Sequence, residues 1–355
     1  MQKIKNIRIV CLPVAGDADP TQLLMINGLN ETSDINAFNG INDRFFGIIR
    51  SAIKFKPNFI HFDWIESYYI RRNRILTYLN LPLFFLQIII CRYLLRIRLA
   101  WTIHNILPHN RDQLKLKYFV LRSFSKMVHF IRVLSPESID AFAQKYNVNK
   151  NKIHFIGAGD YTEYYPNTIS KFDARQNLNI PTNALVLLTL GSVKKYKGIP
   201  QYLQLMQKIS HPDLYILIVG KCIDAELDLE IKSLTNSRII YKNNFIEIND
   251  LQLYYNAADL IVLPFIEIEN SGSLVMAMGF KKPIIAPRSN VLNYRLKYQQ
   301  EFLYEKGALA ETINKSLKIS GFILNSFGEN NFSQLKEYKW ADFGLVFLQY
   351  AKHGN

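Results

Sequence analysis

Two short polar turns, each placed directly after an apolar run, carry the residue types that bind an anion. In "LLTLGSVKKYKG" (187 to 198) the run ends at Gly191, and Ser192, Lys194, Lys197 and Gly198 follow. A glycine at a strand end lets the backbone approach a ligand closely, and lysines a few residues on can meet phosphate oxygens as point charges. In "LPFIEIENSGSLVMAMG" (263 to 279) Glu269 precedes Ser271, Gly272 and Ser273, and an apolar helical segment follows. The start of such a helix leaves backbone N–H groups without partners, and these, with the two hydroxyls, can cradle a phosphate. The competing reading of Ser271 is an ordinary helix cap.

The first half holds a second group of ionisable residues. "FIHFDWIES" (59 to 67) and "LAWTIHNILPHN" (99 to 110) are apolar runs that end in His61 and Asp63, and in His104, Asn105 and His109. If both runs are strands of a parallel sheet, these residues gather at its carboxyl end, where acid–base chemistry on a ligand would take place. In "PVAGDADPTQ" (13 to 22) Asp17 and Asp19 are either a general base or simple turn formers.

The elements that position these residues are legible from the alternation of short β-branched runs with longer helical stretches. One series of strands is expected at Ile7 to Leu12, Phe59 to Phe62, Leu99 to Ile103, Met127 to Val133 and Ile153 to Ile156. A second is expected at Leu185 to Leu190, Leu214 to Val219, Arg238 to Tyr241, Leu260 to Leu263 and Pro283 to Ile285. The fold class is therefore α/β with two sheets. The polar stretch 166–184, with Pro166 and Pro181, reads as the linker between them.

The two turns together resemble the nucleotide-binding domain of GT-B glycosyltransferases, most closely family 4 (group 1). "GSVKKYKG" has the spacing of that family's Gly-Arg-x-x-x-x-Lys-Gly, with Ser192 in place of the arginine. "ENSGSLVMAMG" supplies the family's glutamate and glycine at Glu269 and Gly272, with Ala277 where a second glutamate would stand. The resemblance implies two Rossmann-like doubly wound domains facing across a cleft. Residues 1–165 would form an acceptor-side domain and 185–333 a donor-binding domain, with a helix at 334–355, rich in Trp340, Phe343, Phe347 and Tyr350, returning to the first domain.

The resemblance also implies a function: transfer of a sugar from a nucleotide-diphosphate donor to a saccharide or lipid-linked acceptor in surface polysaccharide assembly, such as capsule, with retention favoured over inversion. Gly191, Ser192, Lys194, Lys197, Ser271, Gly272 and Ser273 would hold the diphosphate, Phe245 and Ile246 the base, and Glu269 the sugar. Glu269 is also a catalytic candidate, together with His104, Asp17 and Asp63 on the other side, where Asp19, His61, Asn105 and His109 would line the acceptor. The nucleotide sugar is a co-substrate, and neither a cofactor nor a metal is expected. An epimerase or hydrolase of the same fold and an inactive scaffold are the alternatives.

The chain has 355 residues and a formal net charge of +14. Residues 1–165 carry 22 Lys and Arg against 12 Asp and Glu, so most of the excess lies in the first half. No recognisable nucleic-acid module or basic–aromatic stripe accompanies it, and nucleic acid is not expected as a partner. Cys11, Cys91 and Cys222 have neither disulfide nor metal spacing. The start, "MQKIKNIRIVCLPVAG", is broken by Arg8 and Pro13 and reads as a first strand and not a signal peptide. "ILTYLNLPLFFLQIIIC" (75 to 91) is apolar almost throughout, yet contains Asn80, Pro82 and Gln87 and is fenced by Arg71, Arg72, Arg74, Arg92, Arg96 and Arg98. It reads as a buried crossover helix or as a membrane-surface helix near 75–98, with a true membrane span as the remaining alternative. The second reading would make the protein cytoplasmic and peripheral on the inner face of the cytoplasmic membrane.

Overall fold

The computed structural model describes residues 6–16, 20–106, 113–266 and 271–353. It divides into two units, one of residues 1–159 with 338–355 and one of residues 160–337.

In the first unit six parallel strands, β1 (Ile7–Leu12), β2 (Ile35–Asn39), β3 (Phe59–Phe62), β4 (Arg98–Ile103), β5 (Phe130–Val133) and β6 (Ile153–Phe155), lie in the order β2-β1-β3-β4-β5-β6. The connections contain α1 (Thr21–Asn30), α2 (Gly47–Phe55), α3 (Glu66–Tyr69), α4 (Arg74–Ile89, continued by a π-helical turn to Leu94), α5 (Leu114–Met127) and α6 (Glu137–Tyr146). The strands are apolar on both faces because both are covered: Val10, Leu12, Ile60 and Phe62 belong to one core, and Ile9, Cys11 and Phe59 to another.

The second unit repeats the plan. Strands β7 (Leu185–Leu190), β8 (Leu214–Val219), β9 (Ile239–Lys242), β10 (Leu260–Val262), β11 (Ile284–Pro287) and β12 (Leu303–Tyr304) lie in the order β12-β11-β10-β7-β8-β9. Its helices are α7 (Lys171–Asn177), α8 (Ile199–Met206), α9 (Ala225–Ser233), α10 (Leu251–Ala257), α11 (Gly272–Gly279), α12 (Asn290–Arg295), α13 (Leu309–Ser316) and α14 (Gly321–Lys336). The chain then rejoins the first unit through α15 (Trp340–His353). There Phe347 meets Phe59 edge-on at 4.7 Å. A Cβ on Gly28 of α1 would lie 2.4 Å from the Trp340 backbone, so the two helices touch backbone to backbone.

Each sheet reverses its winding once, between β1 and β3 in the first unit and between β7 and β10 in the second. In doubly wound sheets ligands bind just beyond the strand ends at such a point.

Several boundaries differ from the sequence reading. β2 and β12 escaped it: β2 is an edge strand with Asn36 and Asn39 among its five residues, and β12 has two residues. Met127 closes α5 and does not open β5. The stretch 166–184 is not a bare linker, because α7 is tied into the second unit by Arg175, which donates to the carbonyls of Ala257 (3.1 Å) and Thr182 (2.5 Å) and to Asp259 (2.7 Å). The units part at 159/160 and again at 337/338. Lys336 grips Asp160 at 2.8 Å on one side, and Tyr338 and Trp340 cover Gly157 and Gly159 on the other.

Candidate active site

The second unit brings its two turns together at the switch point. β7 ends at Gly191, whose φ of +125° is open to glycine and strained for other residues. A Cβ built there would lie 2.8 Å from Ser273 Oγ and 3.1 Å from Lys197 Nζ, so those two side chains converge over the Gly191 backbone. The helical turn Lys195–Lys197 ends at Gly198 (φ +63°), where a Cβ would meet the Pro264 carbonyl oxygen at 2.5 Å. Glycine at 198 thus lets the turn lie against the end of β10, which aims Lys197 inward.

Lys197 is 5% exposed, its ammonium is 5.1 Å from the centre of the Phe265 ring, and it has no carboxylate partner among the described residues. Burial, and next the field of nearby Lys194, lower its pKa to about 8. A buried, uncompensated cation is costly, and an anion beside it removes the cost. Lys194 itself is exposed and makes no ion pair among the described residues, whereas Lys195 is held by Asp224 at 3.1 Å.

Ser271 occupies the cap position of α11, but its side chain makes no capping hydrogen bond. Its carbonyl accepts from the N–H groups of Leu274 and Val275, and those of Gly272 and Ser273 have no acceptor among the described residues. A Cβ at Gly272 would touch nothing within 4 Å among the described residues, which leave that start of the helix open. The Ser273 hydroxyl donates to the Leu190 carbonyl at 2.8 Å and is thereby a structural tie between α11 and β7. Ser192 is exposed, as is Phe245, and Ile246 is half-buried. Ala277 is fully buried in α11.

In the first unit the β3 and β4 ends also converge. His104 Nε2 lies 3.0 Å from Asp63 Oδ1, and its ring stacks on the Trp64 indole with centroids 4.1 Å apart and planes 13° from parallel. Burial alone would raise the Asp63 pKa, but the fields of His61, His104 and Arg132 and the His104 hydrogen bond overcome it and hold the carboxyl below its ordinary value. Gln22 reaches toward Asp63 Oδ2 at 3.5 Å while bonding the loop after β1 through the Ala15 N–H and the Pro13 carbonyl.

His61, expected beside an acceptor, is 1% exposed. Its Nε2 pairs with Thr102 Oγ1 at 2.8 Å, its Nδ1 faces Asp63 Oδ2 at 3.8 Å, and burial pushes its pKa down to about 4. It supports Asp63 from beneath. Asn105 follows β4 next to His104, with its Oδ1 buried and unpartnered among the described residues. Asp17, Asp19, His109 and Glu269 lie outside the described residues. Sequence reasoning does not single out Trp64 and Gln22 as site residues, although they stand within the segments 59–67 and 13–22. Trp64, an exposed aromatic directly after Asp63, was the available signal.

The fold agrees with what the chain is similar to. Residues 170–332 match the family described as Glycosyl transferases group 1. A GDP-mannose:glycolipid 4-beta-D-mannosyltransferase of Xanthomonas campestris pv. campestris is 30% identical over 105 residues, which is 29% of this chain and 30% of that protein's length. Sucrose-phosphate synthase from Thermosynechococcus elongatus superposes with a TM-score of 0.73 at 16% identity over 98% of both chains. HepE of Anabaena, in complex with UDP and glucose, gives 0.72 at 16% identity over 98% of this chain and 100% of its own. The chain has the GT-B fold, and within its second unit residues 170–332 match the glycosyl transferases group 1 model.

Proposed function

We propose that the protein is a glycosyltransferase that moves a hexosyl group from a nucleoside-diphosphate sugar to a glycolipid acceptor. The observation that carries this reading is Lys197, a buried ammonium without a carboxylate partner among the described residues, set at a switch point beside the open start of α11. A pyrophosphate suits one buried lysine, a second lysine at 194 and two free N–H groups. The mannosyltransferase relative supports GDP-mannose as the first donor to test and a lipid-carried saccharide as acceptor. Assembly of a surface polysaccharide such as capsule, on the inner face of the cytoplasmic membrane, is the setting that fits such an acceptor.

As the bond between the anomeric carbon and the phosphate oxygen breaks, the electron pair stays on that oxygen. Lys197, Lys194 and the Gly272 and Ser273 N–H groups balance the growing charge without a metal. Phe245 and Ile246 are assigned to the nucleobase and Glu269 to the donor sugar, on the strength of the family resemblance.

Two stereochemical courses remain. The resemblance implies retention, in which the leaving phosphate assists attack from the front. The Asp63–His104 pair favours inversion: the ionised carboxylate accepts from His104 Nε2–H, which leaves Nδ1 to take the acceptor hydroxyl's proton.

The test is transfer of labelled sugar from GDP-mannose and other nucleotide sugars to extracted glycolipid, with the product anomer read by NMR. Transfer is expected to persist in chelator and to fall by more than ~100-fold in Lys197→Ala, the scale for losing one charge donor in the transition state. Near-normal transfer by that variant rejects the assignment, and donor breakdown without a glycosylated product turns the reading to a hydrolase or epimerase.

A further inference from the structure

Helix α4 and its continuation to Leu94 have two unlike faces. Thr77, Asn80, Phe84, Gln87, Ile88 and Cys91 are buried against the first unit. Phe84 packs on Phe124 at 5.7 Å. Gln87 is fixed at both ends, donating to the Phe45 carbonyl (2.8 Å) and accepting from the Ile49 N–H (3.2 Å). On the other face Ile75, Leu79, Leu86, Ile89 and Tyr93 recur at steps of three, four and seven, which winds into one outward stripe. Ile75 is 68% exposed, Leu79 66% and Leu94 74%. Helix α5 widens the stripe: Phe119 is exposed and meets Phe85 at 6.4 Å, flanked on the same face by Lys115 and Arg122.

The charge around this stripe has one sign. From Ser67 to Arg111 the chain contains seven arginines and no Asp or Glu. Arg72 and Arg74 are exposed at one end of the stripe and Arg96 at the other. An apolar strip about 30 Å long turned toward water is far more than the scattered exposed residues of a soluble surface.

We propose that this face docks on an anionic lipid bilayer, with α4 lying in the headgroup plane. The length and mean hydropathy of Arg74–Leu94, 21 residues and 1.7, would also permit a span. A span, however, would have to break the Gln87 bonds and expose Thr77 and Asn80 to hydrocarbon. A second copy of the chain is disfavoured by charge: a twofold interface centred on the stripe sets its arginine-bearing ends against one another. Lipid phosphates can pair with exposed arginines such as Arg72 and Arg96, and the acyl boundary accepts the leucines.

The inference is independent of the transfer reaction, and its test reads binding alone. The full-length protein is floated with vesicles of phosphatidylcholine, and of phosphatidylcholine mixed with phosphatidylglycerol, at low and high salt. It is expected to rise with the anionic vesicles and to be partly released by salt. The double variant Leu79→Glu, Leu94→Glu is expected to bind about tenfold less, with an unchanged thermal midpoint and unchanged nucleoside-diphosphate binding, since both residues are exposed. The triple variant Arg72→Glu, Arg74→Glu, Arg96→Glu is expected to lose the preference for the anionic lipid. The proposal is overturned if the wild-type protein ignores anionic vesicles, if the leucine variant floats as well as wild type, or if the free protein is a dimer that this variant dissociates.

Discussion

Raising the pH from about 7 to about 9 is expected to weaken nucleoside-diphosphate binding about tenfold, through Lys197. Burial and Lys194 hold this ammonium at about 8, against an ordinary 10.5. That gap corresponds to roughly 3 kcal/mol between the free site and one in which a pyrophosphate restores the ordinary value. In the bound state the proton then stays on across the whole range. In the free state about nine-tenths of it is gone by about pH 9, so the affinity is nearly flat to about pH 8 and falls tenfold per unit beyond. Isothermal titration in two buffers of different ionisation heat reads both quantities, the affinity and the proton taken up. Lys197→Met should bind more weakly and show no such slope. Identical pH profiles for wild type and Lys197→Met would mean that the site holds no proton that the ligand controls, contrary to this expectation.

Other expectations follow from the same geometry. Asp63→Asn keeps the shape of the pair but removes the charge that orients and supports His104, and turnover should fall by about 10²–10⁴ with donor affinity retained; a normal rate would remove the pair from the chemistry. Gly191→Ala should destabilise the fold by about 1–3 kcal/mol and weaken diphosphate binding, since its Cβ meets Ser273 Oγ, itself tied to Leu190, and the backbone sits at φ +125°; unchanged melting and binding would contradict the site geometry. His61, at about 4 in the folded protein and near 6.5 unfolded, contributes stability that is complete above about pH 6.5 and is lost as the pH falls toward 4, roughly 3 kcal/mol in all. In His61→Gln the acid side of the melting curve should be shallower, and an equal slope would place that proton elsewhere.

The strand order was not legible in the sequence, but most strands were, because sheets covered on both faces leave unbroken apolar runs such as "IRIVCL" and "LVLLTL". β2 was lost for the converse reason: at the edge of its sheet, "INAFN" exposes Asn36 and Asn39 and has little apolar signal. The pairing of the Gly191 and Ser273 turns was implied by the family resemblance, whereas the adjacency of β7 and β10 that brings them together is a property of the strand order. That Ser273 is spent on the Leu190 carbonyl, and that Lys197 rather than Lys194 is the buried cation, depends on tertiary packing around Phe265 and Gly198. In the first unit, Asp63 and His104 were both visible at strand ends, but not that His61 lies beneath them. β3 turns its odd residues to the covered face under α15, where His61 packs edge-on to Phe343 at 5.5 Å.

Direct titration of the purified protein with GDP, UDP and ADP, each against its monophosphate, tests the proposal that Lys197 and the start of α11 form a pyrophosphate site. At least one diphosphate is expected to bind, at least about tenfold more tightly than its monophosphate, with the difference abolished in Lys197→Met. No binding of any diphosphate, or equal affinity for mono- and diphosphate in the wild-type protein, would contradict it.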